Sequence, residues 1–132
     1  MNAENALGAY AAAKNDSALA DASPHKLITL LLDGASEAVA TAIGAIQRSE
    51  VTATGEAVGK AMKIVESLSA FLDHDRGGEV AANLEKLYEY MSSRMLEASH
   101  SKNPEVLREV LELLHEIRAG WETIPGELRD VS

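Results

Sequence analysis

Apolar residues recur every three or four positions through most of the chain, and no stretch alternates strictly between apolar and polar. The spacing predicts four helices. The first runs from about Pro24 to Gln47, with Leu27, Leu31, Ala35, Ala38, Ala42 and Ile46 on one face. The second covers about Glu56 to Asp73 with Val58, Met62, Val65, Leu68 and Leu72; Arg48 to Gly55, rich in Ser and Thr, reads as the linker before it. The third covers about Glu79 to Ser99, with Val80, Leu84, Leu87, Tyr88, Met91, Met95 and Ala98. The fourth covers about Pro104 to Trp121, with Leu107, Val110, Leu111, Leu114, Ile117 and Trp121. Ser23-Pro24 and Asn103-Pro104 each read as a capping residue followed by a first-turn proline, whose missing N–H has no partner to lose there. Asp73-His74-Asp75-Arg76-Gly77-Gly78 reads as a polar turn.

Four helices joined by short turns predict an all-α fold, an antiparallel up-and-down four-helix bundle. Residues 1–22 read as an N-terminal arm, flexible or forming a short helix around Ala6–Lys14, residues 23–124 as the bundle, and residues 125–132 as a C-terminal tail. The small residues Gly34, Ala35, Ala38, Ala42 and Gly44 permit close approach of the first helix to its neighbours.

Composition narrows the function. The 132 residues carry 21 acidic and 12 basic side chains, a formal charge of −9. That balance opposes phosphate backbones and anionic lipid, and no basic patch offsets it, so nucleic acid is not expected as a partner. The chain has no cysteine, which excludes a disulfide framework, a thiol nucleophile and a thiolate metal site and fits a cytoplasmic location. The densest apolar run, Leu27 to Leu32, is too short to span a bilayer, and Met1-Asn2-Ala3-Glu4 does not open a signal peptide, so no membrane insertion is expected.

Three enzyme-like patterns carry little weight. The pairs Glu97/His100 and Glu112/His115 have the spacing of a di-metal carboxylate bundle. However, antiparallel helices would set the two pairs about 10 Å apart in height. His115 followed by Arg118 and Ala119 is a loose match to a histidine phosphotransfer module. Asp73/His74/Asp75 sits in a turn that would hold a metal weakly. Neither an enzyme nor a cofactor or metal is expected.

The apolar arcs are wider than one core seam requires. Leu27, Leu31 and Ala35 are flanked by Ile28, Leu32, Val39 and Ile43; Leu84, Tyr88, Met91 and Met95 are flanked by Leu87 and Tyr90. Helix 4 carries both Val110/Leu113/Ile117 and Leu107/Leu111/Leu114. Two readings stay open: a deeply packed core, or a groove that accepts another amphipathic segment.

Tyr10, Ala22-Ser23-Pro24 with Leu27-Ile28, Leu31 and Asp33-Gly34-Ala35 resemble the opening of the flagellin-specific export chaperones, the FliS family. Gly77-Gly78-Glu79-Val80-Ala81-Ala82-Asn83-Leu84, then Leu87-Tyr88-x-Tyr90-Met91, is the most specific block. Leu96-Glu97-Ala98, Leu107-x-Glu109-Val110, Leu113-Leu114 and Ile117-Arg118-x-Gly120-Trp121 extend the likeness. Leu32 departs from the tyrosine often found there in the family, and Ser99 and Asn103 depart from asparagine and aspartate.

The resemblance implies a cytoplasmic helical bundle without catalytic activity or cofactor. It implies binding of the disordered C-terminal segment of flagellin, which blocks premature polymerisation. The loaded chaperone would then deliver its cargo to the flagellar type III export gate, with a co-chaperone as a possible further partner. It also implies that the arm, with Tyr10, lies over part of the binding region. On this reading the flagellin-binding residues are Tyr10, Leu27, Ile28, Leu31, Leu84, Leu87, Tyr88, Met91 and Met95, each with core packing as its other role. Asn83 and Trp121 are read as fixing turns and helix packing.

Overall fold

The computed structural model describes residues 23–123. They form four helices: α1 (Pro24–Gln47), α2 (Val51–Ala70), α3 (His74–Ser101) and α4 (Pro104–Glu122). Each helix packs on its neighbours in chain order, and α4 closes the ring against α1. The short connections make every adjacent pair antiparallel, which is the expected bundle. Residues 1–22 and 124–132, and with them Tyr10, the arm and the tail, lie outside the described residues.

The helix starts follow from their caps. The Ser23 hydroxyl accepts from the Lys26 N–H at 3.2 Å, and the Asn103 side chain accepts from the Glu105 N–H at 3.0 Å, each directly before proline. Asp73 accepts from the Arg76 N–H at 3.0 Å and opens α3. These interactions satisfy first-turn donors that the helix leaves unpaired.

Two boundaries differ from the expected ones. The linker before α2 shrinks to Arg48–Glu50, because α2 begins at Val51 rather than Glu56. Thr54, expected to break the period, turns its hydroxyl onto the Glu50 carbonyl at 2.8 Å and is buried. Its polar group is satisfied within the helix, so it does not end it. Ser49, in the left-handed region with φ 58°, makes the sharp reversal between α1 and α2. The turn expected at 73–78 winds instead into the first turn of α3, with the helical path broken at Gly78 (φ 52°, ψ −124°).

One core fills the ring. α1 contributes Ile28, Leu31, Leu32, Ala35, Val39 and Ala42; α2 contributes Val58, Ala61, Ile64, Val65 and Leu68; α3 contributes Tyr88, Met91, Met95 and Ala98; α4 contributes Val106, Leu107, Val110, Leu114 and Trp121. Alanines on the facing sides of α1 and α2 allow the closest pairing in the bundle. By length and composition, α1 as a whole is apolar enough to cross a bilayer, which the run Leu27–Leu32 understated; half of that window is buried inside the bundle, as wall of the core.

Candidate functional site

The sequence-derived binding residues separate into two groups. Ile28, Leu31, Tyr88, Met91 and Met95 are all buried within the core. Leu27, Leu84 and Leu87 are half-buried. The α1 and α3 members also sit on diagonally opposed helices, because α1 packs against α2 and α4, and α3 packs against the same two. They therefore do not line one groove. Periodicity identified the apolar faces, but it carries no information on which faces meet.

A different set of residues forms an open apolar surface, and it lies between α3 and α4. This pairing is anchored by a polar bridge. The Tyr90 hydroxyl donates to Glu109 Oε2 at 2.9 Å, Arg94 Nε donates to Glu109 Oε1 at 2.9 Å, and Arg94 also reaches Glu97 at 2.8 Å. The Arg94 guanidinium, then the Tyr90 hydroxyl, holds the Glu109 carboxyl below the usual carboxylate range, and the same contact pushes the Tyr90 phenol up.

The bridge also sets the register. In an antiparallel pair, each step toward the start of α3 is a step toward the end of α4. Leu87 is thus level with Leu113, Leu84 with Ile117, and Val80 with Trp121. Leu84, Leu87, Leu113 and Ile117 are all half-buried, and Val80 is 61% exposed although it follows the core-facing phase of α3. The strip from Val80 to Leu87 is about 10 Å long at the helical rise. Leu84, Leu113 and Ile117 pack against the core; the Tyr90–Arg94–Glu109 bridge lies on one side of these positions along the helix pair and the end of α4 on the other. Val80, Leu113 and Ile117 were absent from the sequence-derived site. The double stripe on helix 4 was the available signal for the last two.

The end of α4 is held by a clasp between α1 and α4. The His25 and Trp121 rings stack with centroids 4.7 Å apart and planes 12° from parallel. Trp121 Nε1 donates to the His25 carbonyl at 3.1 Å, and His25 Nε2 lies 3.2 Å from the Trp121 carbonyl. Beside it, Arg118 joins Asp33 at 2.9 Å and Glu122 at 2.6 Å. Trp121 thus joins the end of α4 to the start of α1, and His25, in the first turn of α1, is its stacking and hydrogen-bonding partner. Asn83 is exposed on α3.

Two further grooves are more polar. One of about 440 Å³ between α1 and α2 is lined by Glu37, Ala38, Thr41, Ala53, Glu56, Ala57 and Lys60. One of about 420 Å³ between α2 and α3 is lined by residues including Met62, Glu66, Ser69 and Tyr88. The enzyme-like patterns do not assemble into a site. Glu97 is paired with Arg94, His100, Glu112 and His115 are exposed, and no three His, Asp or Glu side chains among the described residues are grouped to hold a metal.

The family model described as Flagellar protein FliS matches residues 5–127. Flagellar secretion chaperone FliSB of Pseudomonas aeruginosa is 42% identical over 94% of this chain and 98% of its own length. Flagellar secretion chaperone FliS of Salmonella typhimurium is 40% identical, over 94% and 93% respectively. That of Vibrio cholerae is 36% identical, over 96% and 93%. These relatives are named as secretion chaperones, not as enzymes. Matched along nearly its whole length by the family and by several of its curated members, the chain belongs to the FliS family of flagellar proteins.

Proposed function

We propose that this protein is a cytoplasmic export chaperone that binds the C-terminal segment of flagellin, prevents its premature polymerisation and delivers it to the flagellar type III export gate. The observation that carries the reading is the half-open apolar strip Val80, Leu84, Leu87, Leu113 and Ile117 on a bundle of this family. A ligand that is disordered before binding loses conformational entropy when it docks, so it needs extended apolar contact rather than a closed pocket. The strip supplies one such contact, ready-made and backed by a rigid core. An amphipathic segment can lay its apolar face there. Tyr88, Met91 and Met95 then act beneath the ligand, as the support that keeps the strip in shape, and Tyr88 also borders the groove between α2 and α3.

In this reading residues 23–124 carry the ligand, and the arm of residues 1–22, with Tyr10, covers part of the binding region until flagellin arrives. A co-chaperone is compatible with the scheme but not needed by it.

The deciding experiment is a pull-down of flagellin, full-length and trimmed at its C-terminus. A one-to-one complex lost on trimming is the expected result, and an equally strong complex with trimmed flagellin overturns the reading. Deleting residues 2–18 is expected to change the association rate or affinity for a flagellin C-terminal peptide; an unchanged titration removes the arm from the scheme.

A further inference from the structure

Polar side chains at two of the helix seams are paired: Tyr90, Arg94 and Glu109 bridge α3 and α4, and Arg118 joins Asp33 between α4 and α1. The groove of about 420 Å³ between α2 and α3 is different. Lys63 and Glu66 of α2 and Glu89 of α3 line it as exposed charged groups, and their side chains make no hydrogen bond or ion pair among the described residues. The hydroxyls of Ser69 and Ser92, one on each wall, are likewise unpaired there. Tyr88 adds an independent observation. Only 3% of the residue is exposed, yet its hydroxyl has no hydrogen-bonding partner among the described residues. Every fully enclosed side-chain nitrogen or oxygen among those residues does have a partner, so the Tyr88 hydroxyl is not sealed in, and the groove that Tyr88 lines is where it opens. A hydroxyl taken this far out of water without a protein partner is destabilising, and a ligand's hydrogen bond offsets that.

We propose that the α2/α3 groove receives a single lysine or arginine side chain of a bound polypeptide, its charged head held by Glu66 and Glu89 and by the Tyr88 hydroxyl. The groove matches such a side chain along its length. The methylene stem lies on Met62 and the Tyr88 ring, as long basic side chains lie on apolar surface while their heads stay at the rim. Two unpaired carboxylates against one unpaired ammonium, on a chain of net charge −9, favour a cation. The Tyr88 phenol, pushed by burial up to about 12, stays neutral at physiological pH, and its oxygen accepts from a cationic donor. Lys63 narrows the choice. Its ammonium repels a second positive charge, which disfavours a free polyamine and suits one basic side chain flanked by neutral peptide. The Ser69 and Ser92 hydroxyls can bond the flanking peptide groups. The groove is separate from the α3/α4 strip, and the proposal does not require that flagellin supply the basic residue.

The test reads the methionine methyl groups by NMR in the full chain. Met62 lines the groove, whereas Met91 and Met95 are enclosed in the core and report that the fold is intact. The Met62 signal is assigned by its loss in Met62→Leu. Three probes are titrated at about 0.15 M salt, where long-range attraction to the acidic surface is screened: N-acetyl-argininamide, its neutral citrulline analogue, and spermidine. The arginine probe is expected to shift Met62 saturably and the citrulline analogue to leave it unmoved. The double variant Glu66→Gln/Glu89→Gln is expected to weaken the arginine probe about fivefold, and Tyr88→Phe about threefold. Lys63→Gln is expected to tighten it about twofold. An equal response to the citrulline analogue overturns the proposal, as does a response unchanged in the double variant or in Tyr88→Phe. Tighter binding of spermidine at Met62 also overturns it, by making a free polyamine the occupant. No flagellin is present in the assay, so failure of the flagellin reading leaves its outcome intact.

Discussion

Tyr88 sits in two environments. Its ring is part of the core, while the residue also borders the groove between α2 and α3. Burial pushes its phenol from 10.0 up to about 12. The folded state therefore holds the proton more tightly than the unfolded one, so the associated stability is complete below pH 10 and declines as pH rises toward about 12. Melting temperature followed across that interval is expected to fall in the native chain, and by less in Tyr88→Phe, which has no proton to lose. Tyr88→Ala is expected to lose about 3–5 kcal/mol in urea denaturation, since it opens a cavity where Met91 and Met95 also pack. Loss of ligand binding in Tyr88→Ala is thus evidence of a binding role only when it exceeds what unfolding explains.

At the scale of the element, the two glycines of contrasting context make a paired prediction. Gly78 has φ 52° at the break in α3, whereas Gly59 lies exposed within α2, with open space around the position a Cβ would take. Gly78→Ala is expected to destabilise by about 1–2 kcal/mol, because an L side chain enters a strained backbone region. Gly59→Ala is expected to stabilise by about 0.5–1 kcal/mol, by reducing the entropy lost on helix formation. Denaturant titrations of the two variants side by side check both signs. The elements themselves were legible in the sequence: α1 and α4 fall where proline, cap and period place them. The start of α2 was not, since Thr54 satisfies its hydroxyl inside the helix and local composition suggests the opposite. The candidate site was legible only in part. Leu84 and Leu87 belong to the strip, but the same pattern also pointed to Met91 and Met95, which are fully buried. Depth of burial depends on the spacing between neighbouring helices, and α3 and α4 leave their far ends less tightly covered than their bridged centre. No single helix records that.

For the whole molecule, charge and the open apolar positions are kept apart. The ionised side chains occupy the outside of the ring and its inter-helix bridges, while the open strip is apolar. Binding that buries such a strip responds weakly to ionic strength, because screening acts on exposed charges and not on hydrophobic contact. The affinity for a flagellin C-terminal peptide is expected to change less than about threefold between low salt and 0.5 M sodium chloride, a range over which the Debye length falls to a few ångströms. A steep loss, measured by calorimetry, would move the recognition surface to the acidic faces. The clasp at the bundle end has a separate, optical consequence. The chain contains one tryptophan, and that indole is buried against an imidazole where α1 begins and α4 ends. Its emission is an intrinsic, single-site reporter, so a rearrangement at this end of the bundle can be followed as a change in fluorescence without any label.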